Sequence, residues 1–215
     1  MQDVSKIQTM NFDANADAEH LAQEMQRLCA GIPKMPAVKR KLLDYQMMAL
    51  YVLARPYNRT TARILEIGTG HGGSGYMLAR AAPMAQIISL TTNLAEKAEA
   101  QAFWRSLGCL NITAIVMASW NYLERASAAV ACDLIFVDGD HNQIARDLAW
   151  FNRVAVGGLF LCHDYSPEGS RTPSPIAYAE LNGLTDRLGR AFDVSLIDDG
   201  KVGMVGFYRR AGEMI

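Results

Sequence analysis

The chain has 215 residues and a formal net charge of −1, and half of its residues are hydrophobic. This length and composition fit one globular domain with a buried sheet. The near-neutral charge gives no electrostatic basis for binding nucleic acid or anionic membranes, and no apolar run approaches the ~18 residues that span a bilayer. The four cysteines form no CxxC pair, which is typical of reduced thiols in a cytoplasmic protein.

Residues 1–57 are predicted to form a helical lead-in. A helix is expected from Asp17 to Ala30, and a longer one from about Pro36, with apolar residues at spacings of three and four. Pro56 ends that second helix, because proline removes a backbone donor. We expect the lead-in to form a substrate lid. Three of its residues belong to the core, the pocket wall or a homodimer contact: Met47, Met48 and Tyr51.

In residues 58–215, short apolar runs alternate with helical stretches. This alternation is typical of βαβ units, in which helices cover both faces of a parallel sheet. An acidic turn at Gly200 separates two late strand-like runs and indicates a hairpin. The predicted fold class is therefore α/β, with a doubly wound, seven-stranded, mostly parallel sheet and an antiparallel C-terminal strand. The predicted strands are Arg63–Ile67, Gln86–Leu90, Ile112–Met117, Leu134–Val137, Leu159–Cys162, Phe192–Ile197 and Val202–Tyr208, and the helices between them are Gly73–Ala82, Leu94–Leu107, Asn121–Ala129 and Asn142–Ala155.

A glycine-rich loop follows the first of these strands, since residues 64–74 read ILEIGTGHGGS. Glycines let a ligand approach the backbone closely, and the following helix supplies free N–H groups. Gly68, Gly70 and Gly73 also satisfy the G-x-G-x-x-G pattern of dinucleotide sites. Glu66 disfavours that ligand, because a carboxylate repels a pyrophosphate but accepts hydrogen bonds from a loop amide or a bound ammonium group.

The loop resembles the first motif of class I S-adenosylmethionine-dependent methyltransferases, in which an acidic residue precedes the glycines that hold the methionine part of the cofactor. The second strand of such enzymes usually ends in an acid that holds the ribose. Here Thr91 or the Asn93 amide is left to make that contact. The third strand would end at the adenine, where Trp120 either flanks the base or packs structurally. The implied cofactor-binding residues are Glu66, Gly68, Thr69, Gly70, Gly72, Ser74, Thr91, Ser119, Trp120 and Asp138.

Polar residues follow the fourth and fifth predicted strands. Asp138, Asp140 and His141 come after one apolar run, and His163 and Asp164 come after the next. Open α/β sheets bind ligands at the carboxyl ends of their strands. Carboxylate oxygens suit Mg²⁺, and either histidine is able to take a proton from a hydroxyl near neutral pH. Asp140 has a second interpretation, as the N-cap of the following helix.

The order of these motifs over residues 60–165 resembles small-molecule O-methyltransferases of the natural-product, sugar and catechol types. The resemblance implies Asp138, His163 and Asp164 as metal ligands, although His163 stands where cation-dependent relatives have a carboxylate. Metal dependence is therefore open, with a general-base role for His163 as the alternative. The implied catalytic residues are Asp138, His141 and His163.

The favoured function is transfer of a methyl group from S-adenosylmethionine to a hydroxyl of a small metabolite, with Mg²⁺ as a second cofactor if the metal site is used. Two alternatives stay open. One is a nicotinamide-dependent oxidoreductase, which Glu66 and Thr91 disfavour. The other is a non-catalytic module that binds the cofactor, in which His163 and Asp164 would have no task. The acceptor is not specified, and the proline- and serine-rich segment 166–175 is a candidate lid over it.

Overall fold

The computed structural model of the chain describes residues 44–126, 130–165, 174–189, 192–193 and 203–215, and these fall within a single compact unit. The predicted helix Asp17–Ala30, most of the candidate lid and the predicted turn at Gly200 lie outside the described residues. Within the described parts of the chain, no helix is long and apolar enough to cross a membrane.

Strands and helices alternate along the described chain, as the apolar pattern predicts. Helix α1 (Asp44–Ala54) continues into a 3-10 turn at Arg55–Tyr57, which contains the predicted terminating proline. The strands are β1 (Arg63–Ile67), β2 (Gln86–Thr91), β3 (Ile112–Val116), β4 (Cys132–Val137), β5 (Val154–Tyr165), β6 (Phe192–Asp193) and β7 (Gly203–Tyr208), and the further helices are α2 (Gly73–Ala81), α3 (Leu94–Ser106), α4 (Ser119–Arg125), α5 (Ile144–Leu148) and α6 (Pro175–Leu188).

The strands form one sheet in the order β3-β2-β1-β4-β5-β7-β6. The pairs within β1 to β5 are parallel, whereas β7 runs antiparallel to both β5 and β6. This confirms the predicted α/β class with its antiparallel C-terminal strand. The order reverses between β1 and β4, so the chain leaves these neighbouring strands in opposite directions. In open α/β sheets such a switch point creates a crevice at the carboxyl ends of the strands.

The core lies in the central strands. Leu65, Ile135 and Phe160 belong to adjacent strands and are almost fully buried. Their strands lack the alternation of a half-exposed sheet because helices cover both faces. Cys132 and Cys162 are buried free thiols in this core, as expected for reduced cysteines.

The stretch predicted as one helix, Asn142–Ala155, is divided. It contains α5 flanked by 3-10 turns at His141–Gln143 and Ala149–Arg153. Its last two residues already belong to β5, because Val154 pairs with Cys132 before the register shifts. Strand β5 is therefore twelve residues long rather than the predicted Leu159–Cys162.

Helix α6 begins at the end of the segment that is predicted to be a loop. The Ser174 hydroxyl caps it by accepting the N–H of Ala177, and Pro175 occupies the first helical position, where no donor is needed. Leu181 and Leu184 on this helix are buried. The serine and proline that end the predicted loop are thus also a start signal for a helix.

Candidate active site

A cavity of about 410 Å³ opens at the carboxyl ends of β1 to β5. Met47 of α1 also lines it, as one of the interpretations of the lead-in expects. The cavity brings together most of the residues that the sequence selects. Those that line it are Gly68, Thr69, Gly70, Ser74, Thr91, Ser119, Trp120, Asp138, His141, His163 and Asp164.

The glycine loop is wedged between the ends of β2 and β4. The backbone N–H groups of Gly68 and Thr69 both donate to the Leu90 carbonyl, at 2.9 and 3.1 Å. Gly68 has φ +105°, and a Cβ built on it would lie 2.0 Å from the carbonyl oxygen of Asp138. Only glycine fits this position, because both the backbone angle and the available space exclude a side chain.

Glu66 and Gly72 lie behind the cavity wall rather than on it. Glu66 is 0% exposed and accepts the Ser89 hydroxyl, while its Oε1 has no hydrogen-bond partner among the described residues. Burial raises the pKa of Glu66 to about 7. The Gly72 carbonyl accepts the indole N–H of Trp104 at 2.7 Å. Glu66 is therefore placed to organise the loop from below.

Ser89 connects this buried carboxylate to the cavity surface. Its hydroxyl donates to Glu66 and lies 2.7 Å from the hydroxyl of Thr69. Ser74, in the first turn of α2, also hydrogen-bonds to Glu66 and lines the cavity. Glu66 thus contacts the cavity-lining hydroxyl of Ser74 directly and that of Thr69 through Ser89.

Asp138, His163 and Asp164 converge at the ends of β4 and β5. Nδ1 of His163 lies 3.0 Å from Asp138 Oδ1 and 3.1 Å from Asp164 Oδ1. Nδ1 is shared between two oxygens, and neither ring nitrogen has a hydrogen bond of normal geometry to any residue that the structure describes. One potential ligand atom from each residue lies within 4.8 Å of the others. The sequence-predicted metal set therefore forms one cluster.

The backbone of Asp164 is unusual for a residue with a side chain. Its φ is 58°, in the left-handed region, and the pairing of β5 with β7 shifts register between His163 and Tyr165. Such conformations cost free energy and persist where the surrounding structure imposes them, often at functional sites. The irregularity allows the side chains of two successive residues, His163 and Asp164, to face the same cluster.

Asp164 also contacts a second histidine. Its Oδ2 lies 2.8 Å from Nε2 of His141, so the carboxylate bridges two imidazoles with different exposure. The side chain of His141 is 30% exposed and that of His163 is 7% exposed. The structure thus separates the two candidate histidines into a half-buried one and a deeply buried one.

The charges in this cluster stabilise one another. Burial alone would lower the pKa of His163, but the carboxylates of Asp138 and Asp164 raise it to about 9. Burial alone would raise the pKa of Asp164, but its two histidine partners hold it well below the ordinary range. The hydrogen bond to Asp164 raises the pKa of His141 despite burial. At neutral pH the metal-free cluster therefore contains an imidazolium between two carboxylates.

A carboxylate stands at the end of β2 although the strand itself ends in Thr91. The Thr91 hydroxyl donates to Glu96 at 2.8 Å, and both residues line the cavity. Asn93 caps α3 by accepting the N–H of Ala95, so its side-chain oxygen already has a partner. Glu96 was not among the predicted site residues. The signal for it is an acid three residues after an asparagine N-cap, in the first turn of the helix.

Asp147 is a second cavity-lining acid that was not predicted. It is 2% exposed, it accepts the Ser119 hydroxyl, and burial raises its pKa to about 6. Beside it, the Arg146 guanidinium lies 4.8 Å from the centre of the Trp120 ring. The sequence signal is its position three residues after Ile144, on the apolar face of the predicted helix. Asp140, in contrast, caps the 3-10 turn through the N–H of Asn142, as one interpretation expects.

Comparison with known proteins agrees with this arrangement. Residues 65–165 match a family model described as a methyltransferase domain, and no curated protein matches the chain in sequence. Among solved structures, a proposed O-methyltransferase from Klebsiella pneumoniae is 22% identical with a TM-score of 0.65, the alignment covering 90% of each chain. The O-methyltransferase TomG from Streptomyces achromogenes, in complex with S-adenosylmethionine, is 18% identical over 95% of this chain and 93% of its own (TM-score 0.64). An O-methyltransferase from Bacillus cereus, in complex with S-adenosylhomocysteine, is 16% identical over 93% and 94% (TM-score 0.62).

The strand order and the glycine loop at the switch point define a doubly wound α/β fold that binds a ligand at its strand ends. Residues 65–165, which include the glycine loop and the ends of β4 and β5, are similar to a methyltransferase domain, and the fold is shared with the solved O-methyltransferases. The resemblance found in the sequence is thereby confirmed.

Proposed function

We propose that the protein transfers the methyl group of S-adenosylmethionine to a hydroxyl oxygen of a small molecule, assisted by a divalent cation such as Mg²⁺. The observation that carries this proposal is the convergence of Asp138, His163 and Asp164 in the same cavity as the glycine loop. The similar solved structures that contain S-adenosylmethionine or S-adenosylhomocysteine support the choice of cofactor.

The cavity suits this cofactor in size and in charge. Its volume of about 410 Å³ is that of a small-molecule site. Glu66 places an acidic side chain beneath the loop, which disfavours a pyrophosphate and is compatible with a ligand that carries ammonium and sulfonium groups. Glu96, held by Thr91, adds an acceptor for ribose hydroxyls. S-Adenosylmethionine supplies the electrophilic methyl group, and the chain's task is to align it with the acceptor.

The donor set at the ends of β4 and β5 suits a hard cation. Carboxylate oxygens are ligands that Mg²⁺ prefers. Nδ1 of His163 lies 3.0 Å from Asp138 Oδ1 and 3.1 Å from Asp164 Oδ1, and one ligand atom from each of the three residues lies within 4.8 Å of the others. Asp138, His163 and Asp164 would hold the cation, and a bound cation lowers the pKa of a coordinated hydroxyl. Their negative charge balances that of the ion.

The two histidines are suited to different tasks. His163 is deeply buried and its Nδ1 faces both carboxylates, which favours a ligand over a base. His141 is more exposed, and Asp164 accepts a hydrogen bond from its Nε2 at 2.8 Å. That contact orients the ring and leaves Nδ1 as the nitrogen that receives the acceptor's proton. His141 is therefore the general base of the proposal.

The remaining features of the chain support a small acceptor in the cytoplasm. The net charge of −1 does not favour nucleic acid or a membrane surface, and Cys109, Cys132 and Cys162 are buried free thiols. Met47 of α1 lines the cavity, which supports a lead-in of residues 1–57 that walls or covers the acceptor. A homodimer contact through the same helices remains a second proposal for them.

The test is a methyl-transfer assay with labelled S-adenosylmethionine against phenols, catechols, sugars and hydroxy acids, in Mg²⁺ and in EDTA. We expect transfer to at least one class, reduced at least ~100-fold by EDTA. Transfer that EDTA leaves unchanged would reject the cation. No transfer to any hydroxyl, together with tight NAD(H) binding, would favour an oxidoreductase.

The assignment of the base is tested with His141→Gln. We expect kcat to fall by roughly 100-fold, the usual contribution of a positioned base, while the affinity for S-adenosylhomocysteine is retained. His71→Gln is a matched control, because His71 also lines the cavity and also pairs with a carboxylate, Glu99, at 2.9 Å. An equal loss of kcat in both variants at saturating cofactor would reject His141 as the base.

A further inference from the structure

Trp104 is a buried aromatic residue that the proposed methyl transfer does not use. It lies on α3, is 1% exposed and is not among the residues that line the cavity. A buried tryptophan usually finds a partner for its indole N–H. Here the partner belongs to the glycine loop, because the indole donates to the Gly72 carbonyl at 2.7 Å. A side chain outside the cavity therefore holds the loop that lines it.

The indole ring also packs closely against the start of α2. A Cβ built on Gly72 would lie 2.8 Å from the indole nitrogen, and one built on Gly75 would lie 2.6 Å from Cζ2 of the ring. A glycine within a helix is less favourable than an alanine, but at Gly75 the close approach of Trp104 leaves no room for a side chain. The ring therefore fixes the separation between α3 and the first turn of α2.

The glycine loop is anchored at two places, and Trp104 supplies the second anchor. At the start of the loop, the N–H groups of Gly68 and Thr69 donate to the Leu90 carbonyl. At its end, the Gly72 carbonyl is held by the indole. Gly70 lies between the two anchors, lines the cavity and has φ +47°. Ordering such a flexible backbone costs conformational entropy, and an anchor at each end restricts the conformations available to it.

We infer that Trp104 is a positioning residue whose indole N–H holds the glycine loop in the conformation that binds the cofactor. The inference rests on the proposed function, since it concerns the affinity for S-adenosylmethionine. The apparent affinity for a ligand falls with the fraction of molecules in the binding conformation, and loss of the indole N–H lowers that fraction. Helix α2 should survive the loss, because the Gly72 carbonyl also accepts the N–H of Tyr76 at 3.0 Å.

Asn111 provides a matched control at the opposite end of α2. Its side-chain amide donates to the carbonyls of Ala82 and Ala85 at 3.0 and 3.2 Å, just beyond the last residue of the helix. It thus ties the end of α2 that is remote from the glycine loop. If Trp104 only stabilised the fold, changes at Trp104 and at Asn111 would both lower the melting temperature and would affect cofactor affinity alike.

The experiment is calorimetric titration with S-adenosylhomocysteine of Trp104→Phe, of Asn111→Ala and of a protein in which 3-benzothienylalanine replaces Trp104. That residue keeps the shape of tryptophan but has sulfur in place of the indole N–H. We expect both changes at Trp104 to weaken binding by roughly tenfold, and Asn111→Ala to stay within about threefold of wild type. In a methyl-transfer assay, KM for S-adenosylmethionine should rise by roughly the same factor in the Trp104 variants, while kcat at saturating cofactor stays within about threefold.

Wild-type affinity in the benzothienylalanine protein would overturn the inference alone, because the N–H would then have no effect on binding. An equal loss of affinity in Asn111→Ala, or loss of folding in both Trp104 variants, would also overturn it by assigning Trp104 to stability. If only Trp104→Phe fails to fold, the benzothienylalanine protein decides. Failure of wild type to bind S-adenosylhomocysteine would overturn the proposed function and this inference with it.

Discussion

The ends of β1 and β4 carry acids that look alike in the sequence and have different roles in the structure. Glu66 is the fourth residue of β1, so its side chain lies within the sheet, beneath the glycine loop, and is 0% exposed. Asp138 is the first residue beyond β4 and faces the cavity beside His163. A difference of two positions relative to the strand end therefore separates an acid that supports the backbone from an acid that is available for chemistry.

This difference predicts that substitutions of acids at the two places affect different properties of the protein. An acid at the end of β4 or β5 should affect turnover while the fold survives. An acid or glycine at the end of β1 should affect stability and cofactor affinity. The following variants test this separation, from the largest expected effect to the smallest.

Asp138→Asn and Asp164→Asn should each lower the rate of methyl transfer by at least ~1,000-fold, because each removes a charge from the cluster that faces the reacting oxygen. The melting temperature should fall while the fold survives, because each change also removes a carboxylate partner of the buried His163. The measurement is kcat with labelled S-adenosylmethionine. Asp140→Asn is the matched control, since Asp140 lies two residues after Asp138 and lines the same cavity but caps the N–H of Asn142, and it should lose less than ~10-fold. Loss of folding rather than turnover in Asp138→Asn would contradict the comparison.

Gly68→Ala should lower the free energy of unfolding by about 3 kcal/mol or more and abolish binding of S-adenosylhomocysteine, because the new Cβ meets the Asp138 carbonyl oxygen at 2.0 Å. Denaturant unfolding and calorimetry measure the two effects. Gly183→Ala on α6 is the control, as nothing lies within 4 Å of its built Cβ. That change should stabilise the helix by up to about 1 kcal/mol. A stable Gly68→Ala protein that binds normally would disprove the account of the loop.

Glu66 should make stability depend on pH. Its folded pKa of about 7 lies above the ordinary value of 4.5, so the stabilisation linked to its protonated form is fully present below about pH 4.5 and is lost as pH rises through about 7. Between pH 5 and pH 8, the free energy of unfolding of wild type without cofactor should therefore fall by roughly 2 kcal/mol relative to Glu66→Gln. Denaturant melts of both proteins across this range give the difference, and a constant difference would show that Glu66 does not titrate there.

Glu96→Gln should weaken binding of S-adenosylhomocysteine by roughly tenfold, because a neutral acceptor replaces a charge-assisted one at the ribose. The specific readout is the affinity for the 2′-deoxy and 3′-deoxy analogues of S-adenosylhomocysteine. The variant and wild type should differ less in their affinity for these analogues than in their affinity for S-adenosylhomocysteine itself. Glu124→Gln, exposed on α4, serves as the control. An equal loss on all three ligands would assign Glu96 a structural role instead.

Much of the fold was predictable because it depends on local patterns. The bounds of β1 agree with the prediction at both ends, and those of β2, β3, α2 and α3 agree to within one residue. These elements are apolar runs or helices whose ends are marked by residues that begin or end regular structure. Strand β5 was underestimated because Gly157 and Gly158 look like a boundary. The strand continues through both, although Gly157 has φ +79°, and a Cβ on Gly158 would lie 2.6 Å from the Asp133 carbonyl oxygen.

The convergence of Asp138, His163 and Asp164 was predictable for a topological reason, since neighbouring parallel strands deliver their following residues to one edge. Glu96 and Asp147 were missed because their place in the cavity depends on how α3 and α5 pack against the sheet, which no single motif records. For the same reason, the sequence showed only that Thr91 stands where an acid was expected, and not that a nearby acid takes its place. Its hydroxyl positions the carboxylate of Glu96, five residues further along the chain.

The most direct test of the central claim is calorimetric titration of the wild-type protein with S-adenosylhomocysteine. The account predicts saturable binding with one molecule per chain, since the glycine loop, Glu96 and Asp147 line one cavity. No heat of binding to S-adenosylhomocysteine, with saturable binding of NAD(H) to the same protein, would contradict it.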